Sequence, residues 1–347
     1  MQAFAQHAHD RRSGQERYCD RTAVILNKNA KKVTARVRKR LEEVLPETSD
    51  LFFTESLEQA RFVIRRVVDS GYSSIVTGGG DGTVVNVINE ALNRRESKGY
   101  AHCPRFAVLR LGTGNAIADF LGAGELETDL NGLNKASVRW LDIMKVNGQR
   151  TTFGGFGWDA HILNNYNNMR IRAEKFAPSR ALFKTVGGYL VAGLGQSVPQ
   201  FLVNRPSYNV KVVNGDGIAF RLGPDGSINE RIAPGAVAYE GTISMGCFGT
   251  TPYYGYKMNI MPYADKSSGL FQLRLIDMKP LAAVRNLRKI WQGSCKHPGL
   301  IDFQLSSCRI EFDQAAPLQI AGDASGETQY IDIGLDHPIR CTNFASQ

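Results

Sequence analysis

The chain has 347 residues, 43% of them hydrophobic and 22% charged, with a formal net charge of +9. These are globular values with room for two domains. They exclude a membrane-spanning chain, because no apolar run reaches the about 20 residues a spanning helix needs. Residues 1–20 are polar and lack the apolar core of a secretory signal, so they read as a flexible tail. The six cysteines form no C-x-x-C pair and the six histidines are dispersed. That pattern fits neither a zinc site nor a disulfide framework and suits a cytoplasmic protein. The positive charge is compatible with nucleic acid, an anionic lipid surface or a phosphorylated ligand. Aromatics interleaved with basic residues are lacking, which argues against nucleic acid.

In chain order, the apolar run Ala23–Leu26 predicts a buried strand over Thr22–Leu26, ending at Asn27. A helix is predicted from about Val33 to Leu45, a strand over Leu51–Thr54 and a basic amphipathic helix over Leu57–Ser70. A strand over Ser74–Thr77 follows, then a glycine-rich loop and a helix from Val84 to about Asn93. A strand over Phe106–Leu111 ends at Gly112-Thr113-Gly114-Asn115, and Ala116–Leu121 reads as helix. Strands alternating with helices predict a doubly wound parallel sheet, whose ligands bind beyond the carboxyl ends of the strands. Beyond residue 138 short strand-like runs dominate: Leu141–Val146, Tyr208–Val213, Ile218–Leu222, Ala236–Met245, Phe271–Ile276 and Arg309–Phe312. They predict a second, mainly β domain, with helical insertions over Ser179–Leu194 and Leu281–Gln292.

The loop Gly78-Gly79-Gly80-Asp81-Gly82-Thr83 concentrates the chemistry. Four glycines surround one carboxylate where a strand stops and a helix starts. Free amide groups and the positive end of the helix dipole attract anions there, and glycine lets the backbone come close. A plain turn with Asp81 or Thr83 as helix cap is the competing reading. No Gly-Lys-Ser/Thr follows, so the loop is not a P-loop, and the alternate glycines fit a dinucleotide fingerprint poorly. Three further turns carry polar groups or acids: Gly112-Thr113-Gly114-Asn115, Phe153–Ala160 with Asp159, and Ala321–Glu327 with Asp323.

Together these segments resemble the diacylglycerol kinase catalytic-domain family, which includes sphingosine and ceramide kinases and, more distantly, NAD kinases. The resemblance rests on Gly79-Gly80-Asp81-Gly82-Thr83, on Leu111-Gly112-Thr113-Gly114-Asn115 and on Gly155-Phe156-Gly157-Trp158-Asp159-Ala160. Pro262-x-Ala264 with Ser268-Gly269, and Gly326-Glu327, complete it. Asn115 is followed by Ala116 where the family often has Asp, and Ser268-Gly269 stands for a usual Asp-Gly.

The resemblance implies an α/β nucleotide-binding domain over 21–138, joined by a C-terminal return of about 335–347, and a β-sandwich lipid-substrate domain over 139–334. It implies ATP and Mg²⁺, with transfer of phosphate to a hydroxyl of a diacylglycerol, sphingoid base or ceramide-type lipid. Asn27, Gly79, Gly80, Gly82, Thr83, Gly112, Thr113 and Asn115 would hold the nucleotide. Asp81 and Glu327 would be catalytic, and Asp81 and Asp159 would face the metal. A kinase of a soluble metabolite such as NAD, or a non-catalytic nucleotide- or lipid-binding regulator, is the alternative. The basic, apolar segment Met169–Leu194 suits either an anionic membrane surface, and hence peripheral membrane association, or an ordinary amphipathic helix packed on the sandwich. A homodimer is compatible with all of this.

Overall fold

The computed structural model describes residues 19–30, 32–133, 135–158, 160 and 207–346. Two sheets organise them. The first has six strands: β1 (Cys19–Asn27), β2 (Ser49–Thr54), β3 (Tyr72–Gly78), β4 (Arg105–Leu109), β5 (Ser137–Leu141) and β18 (Ile339–Asn343). Their order is β2-β1-β3-β4-β18-β5. The first five in that order run parallel, and β5 is antiparallel to β18. The runs Ala23–Leu26, Ile75–Val76 and Phe106–Leu109 are almost wholly buried, as strands covered on both faces require.

Helices α1 (Ala35–Val44), α2 (Leu57–Asp69), α3 (Asp81–Lys98), α4 (Ala116–Phe120) and α5 (Leu126–Gly132) connect these strands. Local chemistry sets their ends. The hydroxyls of Thr34 and Ser56 accept from the amides of Val37 and Gln59 at 3.3 and 3.2 Å, capping α1 and α2. Helix α3 stops at Gly99, which takes the left-handed conformation at φ 66°. It starts three residues earlier than the periodicity predicts, because Asp81, Gly82 and Thr83 already form its first turn.

The second sheet has twelve strands and makes a mainly β domain. They are β6 (Met144–Val146), β7 (Gln149–Thr151), β8 (Phe153–Gly157), β9 (Tyr208–Asn214), β10 (Ala219–Leu222), β11 (Ile228–Ile232), β12 (Val237–Ile243), β13 (Met245–Gly249), β14 (Phe271–Ile276), β15 (Leu300–Leu305), β16 (Ser307–Ile320) and β17 (Asp323–Leu335). Helix α6 (Pro280–Trp291) lies between β14 and β15. The main path runs β11-β10-β15-β14-β13-β8-β16-β17-β6-β7, and β9 links β12 to β16. Hydrogen bonding is thus continuous through all twelve strands. Strand β16 makes this possible: its first half pairs with β9 and its second half with β8.

Two predicted strands divide. Leu141–Val146 breaks at Asp142, so β5 belongs to the first sheet and β6 to the second; a boundary after residue 138 therefore falls inside β5. Ala236–Met245 separates into β12 and the start of β13. The glycines of β8 and β13 make room for aromatic rings. A side chain at Gly154 would meet the Phe248 ring, and one at Gly246 would meet the Phe156 ring. The two rings stack with centroids 6.5 Å apart.

Arg150 on β7 joins the two halves. Its side chain is 2% exposed. Its guanidinium donates to Asp336 and to Asn93, each at 2.5 Å, and to Glu96. Its backbone exchanges two bonds with the Asn89 side chain, at 2.9 and 2.8 Å. Asn89, Asn93 and Glu96 all lie on α3, so that helix closes the edge of the second sheet.

Candidate active site

The two glycine turns meet behind the loop that opens α3. A side chain at Gly112 would collide with the backbone of Gly80 and Gly79. At Gly79 it would run into Thr83, and at Gly78 into Leu26 and Leu111. These glycines serve close packing of loop on loop. Gly80 differs: nothing lies within 4 Å of where its side chain would be. It is also the N-cap of α3 and supplies no side-chain cap, so Asp81 is the first helical residue rather than the cap. The first turn of α3 thus presents uncapped amides toward open space, the local condition for holding an anion. Gly112→Ala is expected to cost about 1–3 kcal/mol, the usual range for overpacking, and to lower activity by misplacing Gly80. Thermal melting and turnover of the same preparation check this.

Asp81 points across the second turn. Its Oδ1 accepts from the amide of Ile117 at 3.0 Å. Burial pushes its pKa up to about 6; the amides of Ile117 and Ala116 oppose the shift and the charge of Asp119 adds to it. Asp119 is held by Arg110 at 2.8 Å. Asn27 ends β1, donating from Nδ2 to the Thr83 hydroxyl at 3.2 Å and accepting from the Asn29 amide at 2.9 Å. Asn115 adopts φ 56° and is buried. Its amide closes on Gly112, accepting from that residue's N–H at 2.9 Å and donating to its carbonyl at 3.0 Å. Asn115 therefore locks its own turn.

A cavity of about 1400 Å³ runs past this loop between the two halves. Asn27, Gly80, Asp81, Gly82, Thr83 and Thr113 line it; Gly79, Gly112 and Asn115 stand behind its wall. Asp159 lies outside the described residues, as does the segment Met169–Leu194. Part of the wall is apolar, with Phe153, Met245, Met258, Ile260, Met278 and Trp291.

Among the described residues, the acid that the β domain brings to the cavity is Asp323, not Glu327. Ala321 and Gly322, at φ 51° and 82°, form a two-residue turn between Ile320 and Asp323, and two positive φ values suit a tight hairpin. Gln319 steadies the turn by accepting from the Gly322 amide at 2.8 Å. Asp323 lines the cavity, and its carboxylate occupies the space a side chain at Gly82 would need. Between Ala324 and Glu327 the register shifts by one residue, and Gly326 takes φ 81°. One extra residue turns the following side chains to the other face of a strand. Glu327 is accordingly exposed, absent from the cavity wall and beside Tyr208. The acid directly after an Ala-Gly turn is the sequence signal for Asp323. Asp323→Asn is expected to lower turnover by about 10²-fold or more, and Glu327→Gln to leave it within about twofold of wild type, as surface changes usually do. The reverse ranking in steady-state assays would return the role to Glu327.

An α/β domain whose glycine turns face a β domain across one cavity defines a phosphotransferase that takes an alcohol group as acceptor, once its relatives are considered. Residues 21–146 match the family profile of the diacylglycerol kinase catalytic domain. A diacylglycerol kinase of Staphylococcus carnosus is 24% identical over 334 residues, covering 91% of this chain and 94% of that protein. One from Staphylococcus epidermidis is 26% identical over 313 residues, covering 86% and 83%. A crystal structure of a diacylglycerol kinase from Bacillus anthracis shares the fold, with a TM-score of 0.60 at 15% identity over 93% of this chain and 97% of that one. Another Bacillus anthracis structure gives a TM-score of 0.65 at 17% identity, covering 96% and 98%. Residues 21–146 thus belong to the diacylglycerol kinase catalytic-domain family, and the chain as a whole is similar to diacylglycerol kinases.

Proposed function

We propose that this lipid kinase transfers the terminal phosphoryl group of ATP to the hydroxyl of a diacylglycerol, sphingoid base or ceramide-type lipid, at a membrane to which it binds peripherally. The observation that carries this reading is a cavity of about 1400 Å³ lined both by the glycine loop, with Asp81 and Asp323, and by an apolar stretch of wall. A soluble acceptor such as NAD would leave that apolar wall without use. In the described residues no helix is long and apolar enough to cross a membrane, so the lipid would be reached from the surface.

Phosphoryl transfer passes through a loose transition state, so catalysis consists mainly of positioning and charge neutralisation. The first-turn amides of α3 and the open face of Gly80 would receive phosphate oxygens, with Thr83 oriented by Asn27. Asp81 would align the acceptor hydroxyl and take its proton late in transfer. Its elevated pKa makes it a better proton acceptor than an ordinary carboxylate while leaving it mainly ionised at neutral pH. Among the described residues no group of three or more metal-ligating side chains exists. Mg²⁺ is ordinarily held by phosphates, water and one or two carboxylates, and Asp81 and Asp323 both stand beside Gly82 in the cavity wall. Bound there, Mg²⁺ would neutralise charge on the phosphates.

The test is labelled ATP with a panel of dispersed lipids and NAD, the products separated by chromatography and Asp81→Asn protein as control. Label in one lipid class, lost in the control, supports the proposal. Label in NAD alone, or in no lipid, would sink it.

A further inference from the structure

Helix α6 leaves an apolar stripe in solvent. Leu281, Val284 and Leu287 are 58%, 50% and 40% exposed. At 3.6 residues per turn they span about 120° of the helix surface. Arg285 and Lys289 are also exposed and fill the neighbouring arc, and the exposed Arg288 stands between Val284 and Leu281 around the helix. Over Lys279–Trp291 there are four cations and no acid. Among the described residues none of Arg285, Arg288 and Lys289 forms an ion pair.

The helix is held firmly enough to present this face. Ala282, Ala283, Asn286 and Ile290 turn inward and are partly buried. Its C-terminal carbonyl at Trp291 accepts from the Asn259 amide at 2.8 Å. Val284 and Leu287 also line the large cavity, so the stripe continues from the cavity wall onto the outer surface.

We propose that α6 docks the enzyme on an anionic lipid bilayer: Leu281, Val284 and Leu287 enter the acyl boundary, and the three cations meet the headgroups. The proposal rests on the lipid-kinase reading and adds the surface through which the acceptor would pass from bilayer to cavity. Apolar residues flanked by cations are the composition of an interfacial helix. A protein partner would need acids matched to each cation, because charged residues are depleted from the cores of protein interfaces. An anionic bilayer supplies negative charge at every position.

The test is sedimentation of the full chain with vesicles of phosphatidylcholine, with and without phosphatidylserine. The variant Leu281→Gln/Arg285→Gln/Arg288→Gln/Lys289→Gln leaves the cavity wall untouched. It is expected to lose at least about tenfold in affinity for the anionic vesicles, since each surface cation contributes on the order of 1 kcal/mol. Its turnover of a short-chain, freely dissolved acceptor should stay within about twofold of wild type. Unchanged vesicle binding overturns the proposal, as does an equal loss on the dissolved acceptor or a change of oligomeric state in gel filtration. A single Leu281→Trp variant is the second readout. Its added fluorescence should shift to the blue with anionic vesicles, and no shift overturns the docking face. Neither vesicle measurement requires turnover, so a wild-type enzyme that phosphorylates no lipid would refute the lipid-kinase reading separately.

Discussion

Asp81→Asn is expected to lower turnover by about 10²- to 10⁴-fold, the range for removing a positioned proton acceptor, while the fold persists and becomes more stable. The amide keeps an oxygen for the Ile117 N–H but cannot take a proton. The stability gain follows from linkage. Burial raises the Asp81 pKa in the folded protein to about 6, above its unfolded value, so folding favours the protonated acid. The destabilisation from this carboxylate therefore grows as pH rises from the unfolded pKa to about 6, is complete above 6, and is absent well below the unfolded pKa. At pH 7 the substitution should recover about 1–3 kcal/mol, two pKa units being the upper bound. At pH 4 it should recover little. Urea denaturation at both values reads this, and turnover of the wild type should fall as pH drops through about 6. A variant that is inactive but no more stable at pH 7 would show that burial is not what shapes this carboxylate.

The second large effect is at Arg150. Arg150→Met removes the guanidinium that ties β7 to α3 and to Asp336, and leaves Asp336 and Asn93 without that partner. Breaking a buried pair from one side typically costs about 3–5 kcal/mol. Burial tends to raise the pKa of Asp336, but the His337 amide and the Arg150 guanidinium outweigh it and hold the pKa below the usual carboxylate value. That stability is present above the unfolded carboxylate pKa and is lost as pH falls through the lower folded value. The wild type should thus lose stability in acid at this site, and Arg150→Met should lose less, having little left to lose. Lys145, 3.2 Å from Asp336, limits the damage, so the variant should still fold at low temperature. Urea midpoints across pH check both signs. Because α3 begins at Asp81 and is gripped near its other end by Arg150, activity should fall as well.

Much of this architecture is legible before folding is considered. Ala23–Leu26, Ile75–Val76 and Phe106–Leu109 announce buried parallel strands by being apolar on both faces. The glycine loop marks a strand-to-helix junction because few other sequences could pack there. Glu327 shows where such reading fails. Counting alternate residues from Asp323 would put both acids on one face, yet one extra residue near Gly326 separates them. The glycines of β8 read equally well as a place for a ligand; Phe248 occupies that space at Gly154.

The sequence by itself determined the alternation of strands and helices, the presence of an acid among glycines at a strand-to-helix junction and the mainly β character of the second half. These are short-range matters of periodicity, backbone freedom and side-chain size. Only the tertiary structure decided which glycines touch protein and which face open space, which acid crosses to Gly82, and that Arg150 binds α3. Those outcomes depend on contacts between residues far apart in the chain, where a shift of one residue in register moves a carboxylate from the cavity to the opposite face.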